Sequence, residues 1–357
     1  MTTVVIGDIG GTNSRLRLIS LLPHSFSFLK STDYYSNAHA NFNIILQDFL
    51  GNTTPQLAVF AIAGPIVGDT AHFVNQKWSP KKLSASDLES SFNVNKVLFI
   101  NDFEAAEYGC LVLNEEDYVC LNPSVLPQPC SSKVVIGPGT GLGEALLVWS
   151  GSKYIAVPGE GGHSDFAAHT DEQWKFVKYM QELLQTTEEY SQFRPCETVS
   201  YELCLAGRGS YHLYDFFRLE YPELASPEFD QLWKDSPEDR MRIMMEYGFN
   251  KKDLICQKSV ECWVKFLAYE VGNLIAKNLP FGGVYLIGGL VCKNFEGILN
   301  EREIFFEALR SKPRHICDVI EKVPIFLVRN ESVGINGVIE YAKNWLKGTG
   351  EVEVTGT

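Results

Sequence analysis

The sequence predicts an α/β protein built from two related halves, and three stretches carry that expectation. Residues 4–19, VVIGDIGGTNSRLRLI, run as an apolar strand to Gly7 and Asp8, turn through Gly10-Gly11-Thr12-Asn13, and resume with Leu16 and Leu18 alternating with Arg15 and Arg17. Residues 134–148, VVIGPGTGLGEALLV, repeat the same grammar far downstream. Strand, glycine turn and strand repeated at such a distance mark duplicated α/β halves. Over 253–278, Val260, Val264, Leu267, Val271 and Leu274 recur at four-and-three spacing, the apolar stripe of a long helix.

The remaining elements follow in order. LAVFAIA at 57–63 and KVLFI at 96–100 are short apolar runs rich in β-formers, and so buried strands. After residue 165 helices dominate. The polar stretch 218–250, with Pro222, Pro227 and Pro237, reads as loops between short helices. VYLIGGLV at 284–291 is a third related unit, a β-rich run broken by Gly288-Gly289. The tail GTGEVEVTGT, 348–357, is expected to be disordered.

Composition removes several function classes. With 45% hydrophobic and 21% charged residues, the chain has the profile of a soluble globular protein. A net charge of −13 argues against nucleic acid or an anionic membrane as partner, since both need a basic face. No window approaches the ~18 uninterrupted apolar residues of a membrane span. A glycine-rich turn stands where a signal peptide would have its apolar stretch. The nine cysteines are odd in number and scattered, with no C-x-x-C. They read as reduced thiols of a cytoplasmic protein, and no metal ligand set is expected among them.

Neither glycine loop fits the familiar nucleotide fingerprints. GDIGGT does not match G-x-G-x-x-G, and the second loop fails at its sixth position, Leu142 or Glu144. Strand alternation resumes after each loop, so a dinucleotide fold fails on context, and no G-K-[ST] follows for a Walker loop. Taken singly, each loop reads as a glycine hairpin turn. A plain hairpin, however, needs neither the four glycines among residues 137–143 nor a carboxylate placed ahead of the turn. Glycines let backbone N–H groups converge on phosphate oxygens, while Thr12, Asn13 and Thr140 add donors. Asp8 is then placed to hold a hydrated Mg²⁺ against those phosphates.

Three acids and a histidine stand out. Asn101 and Asp102 end a buried strand and open a helix; Asn101 with Glu104 has capping-box spacing, whereas an acid at a strand's C-terminal end faces the crevice where α/β sheets bind ligands. Glu160 and His163 lie in the glycine loop VPGEGGHSDF, where each, taken alone, reads more readily as a plain surface residue. Glu202, in VSYELCLAGRG, suits the first turn of a helix.

Together these pieces resemble the bacterial-type glucokinase family of the hexokinase–actin superfamily. The matching motifs are GDIGGTN (7–13), AIAGPIVGD (61–69), VNQKW (74–78), INDF (100–103), GPGTGLG (137–143), PGEGGHSDF (158–166), SYELCLAGRG (200–209), GGVYLIGGLV (282–291) and, more weakly, NESVGINGV (330–338). They fall in family order over roughly residues 4–345. The resemblance implies two related actin-like ATPase (ribonuclease H-like) domains around a cleft. It makes Asp102 the catalytic base and Asn101 a sugar contact. Glu160, His163 and Glu202 would grip sugar hydroxyls, with Asn75 nearby. Gly7, Asp8, Ile9, Gly10, Gly11, Thr12 and Asn13, with Gly139, Thr140 and Gly141, would cradle phosphates, and Gly288 and Gly289 would border adenosine. Gly64 (often Cys) and Pro138 (often Ala) depart from the family pattern, and the 215–260 segment is long. Pro138 has no N–H to offer a phosphate. The zinc motif of the other glucokinase branch is absent.

The implied reaction is ATP plus glucose giving glucose 6-phosphate and ADP, with Mg²⁺, in a cleft that closes on the sugar. A small domain is expected over 1–112 completed by a helix at 331–347, with a large domain over 113–330, and the assembly is left open between monomer and homodimer. The alternatives are a kinase for another hexose or aminohexose, or one using a different phosphoryl donor. Sugar-responsive repressors of the superfamily carry an N-terminal DNA-binding module, whereas here a strand is expected from Val4. A dehydrogenase is the more distant reading.

Overall fold

The computed structural model describes residues 2–349, apart from 23–24, 74–76, 158, 194–196 and 208. The chain divides into two compact units: Met1–Asn114 with the segment from Ser332 onward, and Glu115–Glu331.

The first unit contains β1 (Thr2–Ile9), β2 (Asn13–Leu21), β3 (Phe26–Tyr35), β4 (Leu57–Ile62), β5 (Ile66–Val67), β6 (Thr70–His72), β7 (Lys82–Ser84) and β8 (Lys96–Asn101). Its main sheet has the order β3-β2-β1-β4-β8, and β5 to β7 form a small sheet of their own. β1 is antiparallel to β2 and parallel to β4, which is parallel to β8. Successive side chains of a strand point to opposite faces, and Val4, Val5, Ile6 and Ile9 of β1 are all apolar because both of its faces are covered. Val5 and Ile9 enter a core with Phe42 and Phe49 of the helix Phe42–Leu50. Val4 and Ile6 enter another with Ile335, Val338 and Ile339 of the C-terminal helix Val333–Thr349.

That C-terminal helix crosses the helix Asp102–Cys110 with the two backbones touching. A Cβ on Gly337 would fall on the Ala105 carbonyl oxygen, and one on Gly109 on the Val333 carbonyl oxygen. The helix runs to Thr349, so the first two residues of the expected disordered tail are helical, continuing the turns before them. The rest of the tail lies outside the described residues.

The second unit holds β9 (Tyr118–Cys120), β10 (Lys133–Pro138), β11 (Leu142–Trp149), β12 (Tyr154–Val157), β13 (Val284–Leu286) and β14 (Ile325–Val328), in the order β12-β11-β10-β13-β14-β9. β10, β11 and β12 are antiparallel neighbours, and β10, β13 and β14 are parallel. This reproduces β3-β2-β1-β4-β8, so the repeat read from the sequence is a repeat of topology. The 284–291 stretch is corrected: β13 holds the place of β4, and the chain after Gly288 enters the helix Gly289–Lys293 instead of a second strand. Gly288 turns there at φ 95°, with its Cα so near β10 that a Cβ would stand 2.8 Å from the Pro138 carbonyl oxygen.

The long helix is Leu254–Asn278, capped by Asp253, whose side chain accepts the Cys256 N–H. The five stripe residues are buried, as expected, but so are Trp263, Phe266, Ala268 and Tyr269. The helix is surrounded by the helices His212–Glu220, Arg240–Phe249 and Arg302–Leu309. The 218–250 stretch is also more helical than its composition suggests, since Pro227 and Arg240 begin helices. Proline is tolerated in a first turn, where its missing N–H has no intrahelical partner. The eight described cysteines are free thiols. No described helix is long and apolar enough to cross a membrane.

Candidate active site

The turn between β1 and β2 is a closed hairpin whose carbonyls are tied down. Gly10 N–H donates to the Asn13 carbonyl at 2.9 Å. Ser36 Oγ–H donates to the Gly10 carbonyl, Asn37 Nδ2–H to that of Gly11, and Ser36 N–H to that of Thr12. The N–H groups of Gly11 and Thr12 find no acceptor among the described residues. Ser36 is itself held by the Trp78 indole N–H at 2.8 Å. Sequence reasoning missed this buttress, because nothing local marks a serine more than twenty residues away as a neighbour. Gly7 and Ile9 belong to packing: a Cβ on Gly7 would stand 2.7 Å from Leu16 Cδ2, and the Ile9 side chain is in the core.

Asp8 pairs with Arg15, Nη1 to Oδ2 at 3.1 Å, yet burial outweighs that attraction and holds its carboxyl above the usual range. Asn101 and Asp102 begin their helix as the capping pattern requires. Asn101 Oδ1 accepts the N–H groups of Phe103 (2.9 Å) and Glu104 (3.4 Å). With Oδ1 engaged as the cap, Asn101 retains its amide N–H₂ for another partner. Solvent reaches Asp102, but the protein crowded about its carboxyl, and then the charge of Asp8, push it up to about 6.

In the second unit the glycine loop is tied at both ends. Gly139 N–H donates to the Gly141 carbonyl (2.8 Å), and Gly207 N–H to that of Gly139 (2.9 Å). Leu142 N–H donates to Glu202 Oε2 at 3.0 Å. The N–H groups of Thr140 and Gly141 find no acceptor among the described residues. Glu202 stands in the first turn of the helix Tyr201–Leu205, which Ser200 caps. His163 lies between two acids, Nδ1 at 3.9 Å from Glu202 Oε1 and Nε2 at 3.8 Å from Glu160 Oε2. The three residues proposed for sugar hydroxyls are thus gathered in one place. Glu202 is the sheltered member, its side chain 23% exposed against 54% for His163 and 90% for Glu160. Asn75 lies outside the described residues. Gly289 opens its helix with nothing near its Cα, whereas Gly288 is packed against the loop as noted.

Beneath the turn Gly161–His163 is an acid the sequence reading passed over. Glu144, on β11, is 5% exposed, with Oε1 unpartnered and Cβ 3.1 Å from where a Gly161 Cβ would stand. Its signal was present: an acid at an inward position of the alternation Leu142, Glu144, Leu146. Burial first, then the charge of Glu270 against a smaller opposing pull from Lys277, pushes its carboxyl up to about 8. An unfolded glutamate ionises near pH ~4.3. Between these values the unfolded chain releases a proton that the native chain keeps, so native stability falls as pH climbs from about 5 to 8. Glu144→Gln has no such proton, and its melting temperature should exceed the wild type's by more at pH ~8 than at pH ~5. A difference independent of pH would show that Glu144 ionises normally in the native protein.

Comparison with known proteins identifies the relatives of the chain that carries this arrangement. The family model Glucokinase matches residues 5–345. The glucokinase of Nostoc punctiforme is 30% identical over 354 residues, spanning 94% of this chain and 98% of that one. That of Tolumonas auensis is 31% identical, spanning 96% and 98%. Among solved structures, a glucokinase from an Antarctic psychrotroph superposes with a TM-score of 0.76 at 23% identity, covering 96% of this chain and 99% of that one. The glucokinase of Balamuthia mandrillaris in complex with glucose has a TM-score of 0.75 at 22% identity, covering 96% and 94%. A ROK-family glucokinase from Streptomyces griseus, solved with glucose and AMPPNP, has a TM-score of 0.60 at 16% identity, covering 96% and 99%. The structures establish the shared sugar-kinase fold, and the full-length sequence matches establish the kinship: the chain belongs to the glucokinase family.

Proposed function

We propose that this protein transfers the γ-phosphoryl group of ATP to the 6-hydroxyl of D-glucose. The observation that carries the reading is the gathering of Glu160, His163 and Glu202 beside the 137–143 loop, in a chain of this family. Glu160, His163 and Glu202 hold sugar hydroxyls, and Asn101 offers its amide N–H₂. The N–H groups of Gly11, Thr12, Thr140 and Gly141 receive phosphate oxygens.

A sugar hydroxyl is a very weak acid, and phosphoryl transfer passes through a loose transition state. Asp102 therefore orients the hydroxyl and accepts its proton as the oxygen–phosphorus bond forms. With its carboxyl near 6, Asp102 is ionised at neutral pH yet basic enough to take that proton. Asp8 suits Mg²⁺: its Oδ1 lies outside the Arg15 pair, and the Arg15 and Arg17 guanidiniums do not offset its burial. Bound with ATP, that ion would offset charge on the transferring phosphates.

Glu160→Ala and His163→Ala should each weaken glucose binding by ~1–3 kcal/mol, since each leaves a hydroxyl without its bond, and leave nucleotide affinity unchanged. Titration calorimetry with each ligand alone checks this; equal losses for both ligands would refute the sugar assignment. A coupled ADP-release assay over glucose, mannose, glucosamine and fructose tests the reaction. Glucose should give the highest kcat/KM, and ADP release indifferent to sugar would overturn the reading.

A further inference from the structure

We propose that Glu202 is also a strut of the phosphate loop, so that one carboxylate couples the sugar site to the nucleotide site. The inference rests on the reading of Glu202 as a sugar ligand and of residues 137–143 as a phosphate cradle. Within itself the 139–142 turn makes one bond, from the Gly139 N–H to the Gly141 carbonyl; Pro138 offers no N–H, and Gly139 and Gly141 have no side chains. Its other ties come from the segment 202–207. Gly207 N–H holds the Gly139 carbonyl, and Glu202 Oε2 holds the Leu142 N–H. Thr140 and Gly141, whose N–H groups find no acceptor among the described residues, lie between these two ties.

The carboxylate lies directly on the loop: a Cβ on Gly141 would stand 2.7 Å from Glu202 Oε2. The helix beneath it is firmly seated. Ser200 caps it, Cys204 and Leu205 are fully buried, and the Trp263 indole N–H holds the Leu205 carbonyl at 3.0 Å. Glu202 therefore divides its oxygens, with Oε2 on the loop and Oε1 turned to the His163 side. When a sugar hydroxyl engages Oε1, the carboxylate plane is fixed from both sides and the loop amides are fixed with it. Without sugar, the Leu142 N–H is the carboxylate's tie to the loop, and rotation about the side chain breaks it part of the time. A ligand that favours one of two arrangements raises affinity for any other ligand that needs it, and the effect is reciprocal.

Calorimetric binding of a non-hydrolysable ATP analogue, with and without glucose, tests this. In the wild type, saturating glucose should tighten the analogue roughly 5-fold or more. Glu202→Ala should abolish that tightening and also weaken the analogue roughly 5-fold in the absence of sugar, through the lost bond to Leu142. Glu202→Gln keeps an oxygen for that N–H and should restore the sugar-free affinity. Wild-type nucleotide affinity in Glu202→Ala with weakened glucose binding would overturn the strut and leave the sugar assignment standing. The reverse, weakened nucleotide with unchanged glucose, would overturn the sugar assignment and the coupling with it. Gly141→Ala supplies a test in which Glu202 remains: the added methyl pushes its carboxylate off the loop. Glucose affinity measured without nucleotide should then fall, and an unchanged value would contradict the coupling.

Discussion

Asp102→Asn should lower kcat by at least ~10²-fold, the scale of a positioned general base, while the protein stays folded. Asparagine keeps the shape and the helix-start propensity of aspartate but cannot take the proton of the sugar hydroxyl. The helix loses little by the change, because its cap is Asn101, whose side chain accepts the Phe103 and Glu104 N–H groups. The first-turn charge itself contributes only ~0.3–1 kcal/mol. In the wild type, kcat/KM should fall on the acid side of pH 6, where Asp102 gains the proton it must be free to accept. Near-normal turnover in the folded variant would leave Asp102 no role beyond beginning a helix.

Gly337→Ala should be the most destabilising of the small substitutions considered. Overpacking typically costs 1–3 kcal/mol, through side chains that shift. Here the new methyl meets the Ala105 carbonyl oxygen, a backbone atom inside a helix, so the two helices must separate. We expect a loss of about 3 kcal/mol or more, a fall in melting temperature of roughly 6–12 °C for a unit of this size. Because the displaced partner is the helix that begins at Asp102, kcat should fall as well. Gly348→Ala, in the same helix with nothing near its Cα, is the control and should be neutral or slightly stabilising. Equal stability of the two variants would mean that the helices yield easily at the crossing.

What was legible in the sequence was local. The strands β1, β2, β10 and β11 declared themselves because apolar runs flank glycine turns, and the long helix because its period is sustained. Asn101 was visible as a cap from its spacing to Glu104 alone. Contacts between distant segments were not legible: Ser36 beneath the Gly10 turn, Gly337 against Ala105, Glu202 on the Leu142 N–H. That last contact changes an expectation. A sugar ligand alone would leave ATP affinity untouched when removed, whereas Glu202 touches the nucleotide loop directly. Burial was also illegible where it reverses chemistry. Glu107 and Glu270 look like ordinary helix-surface acids, yet they are 1% and 0% exposed and each carries an unpartnered oxygen. The 284–291 run misled because a parallel strand leading into a helix and a strand leading into a hairpin share the same apolar-then-glycine signature.

Phosphorus NMR of one reaction mixture decides the assignment most directly. Enzyme with ATP, Mg²⁺ and D-glucose should produce a phosphomonoester coupled to the C6 protons of glucose and one ADP for each sugar phosphorylated. Omitting glucose should stop ADP formation, and Asp102→Asn should slow both products equally. Inorganic phosphate and ADP appearing at the same rate with and without glucose, or the ester forming at another hydroxyl, would contradict it.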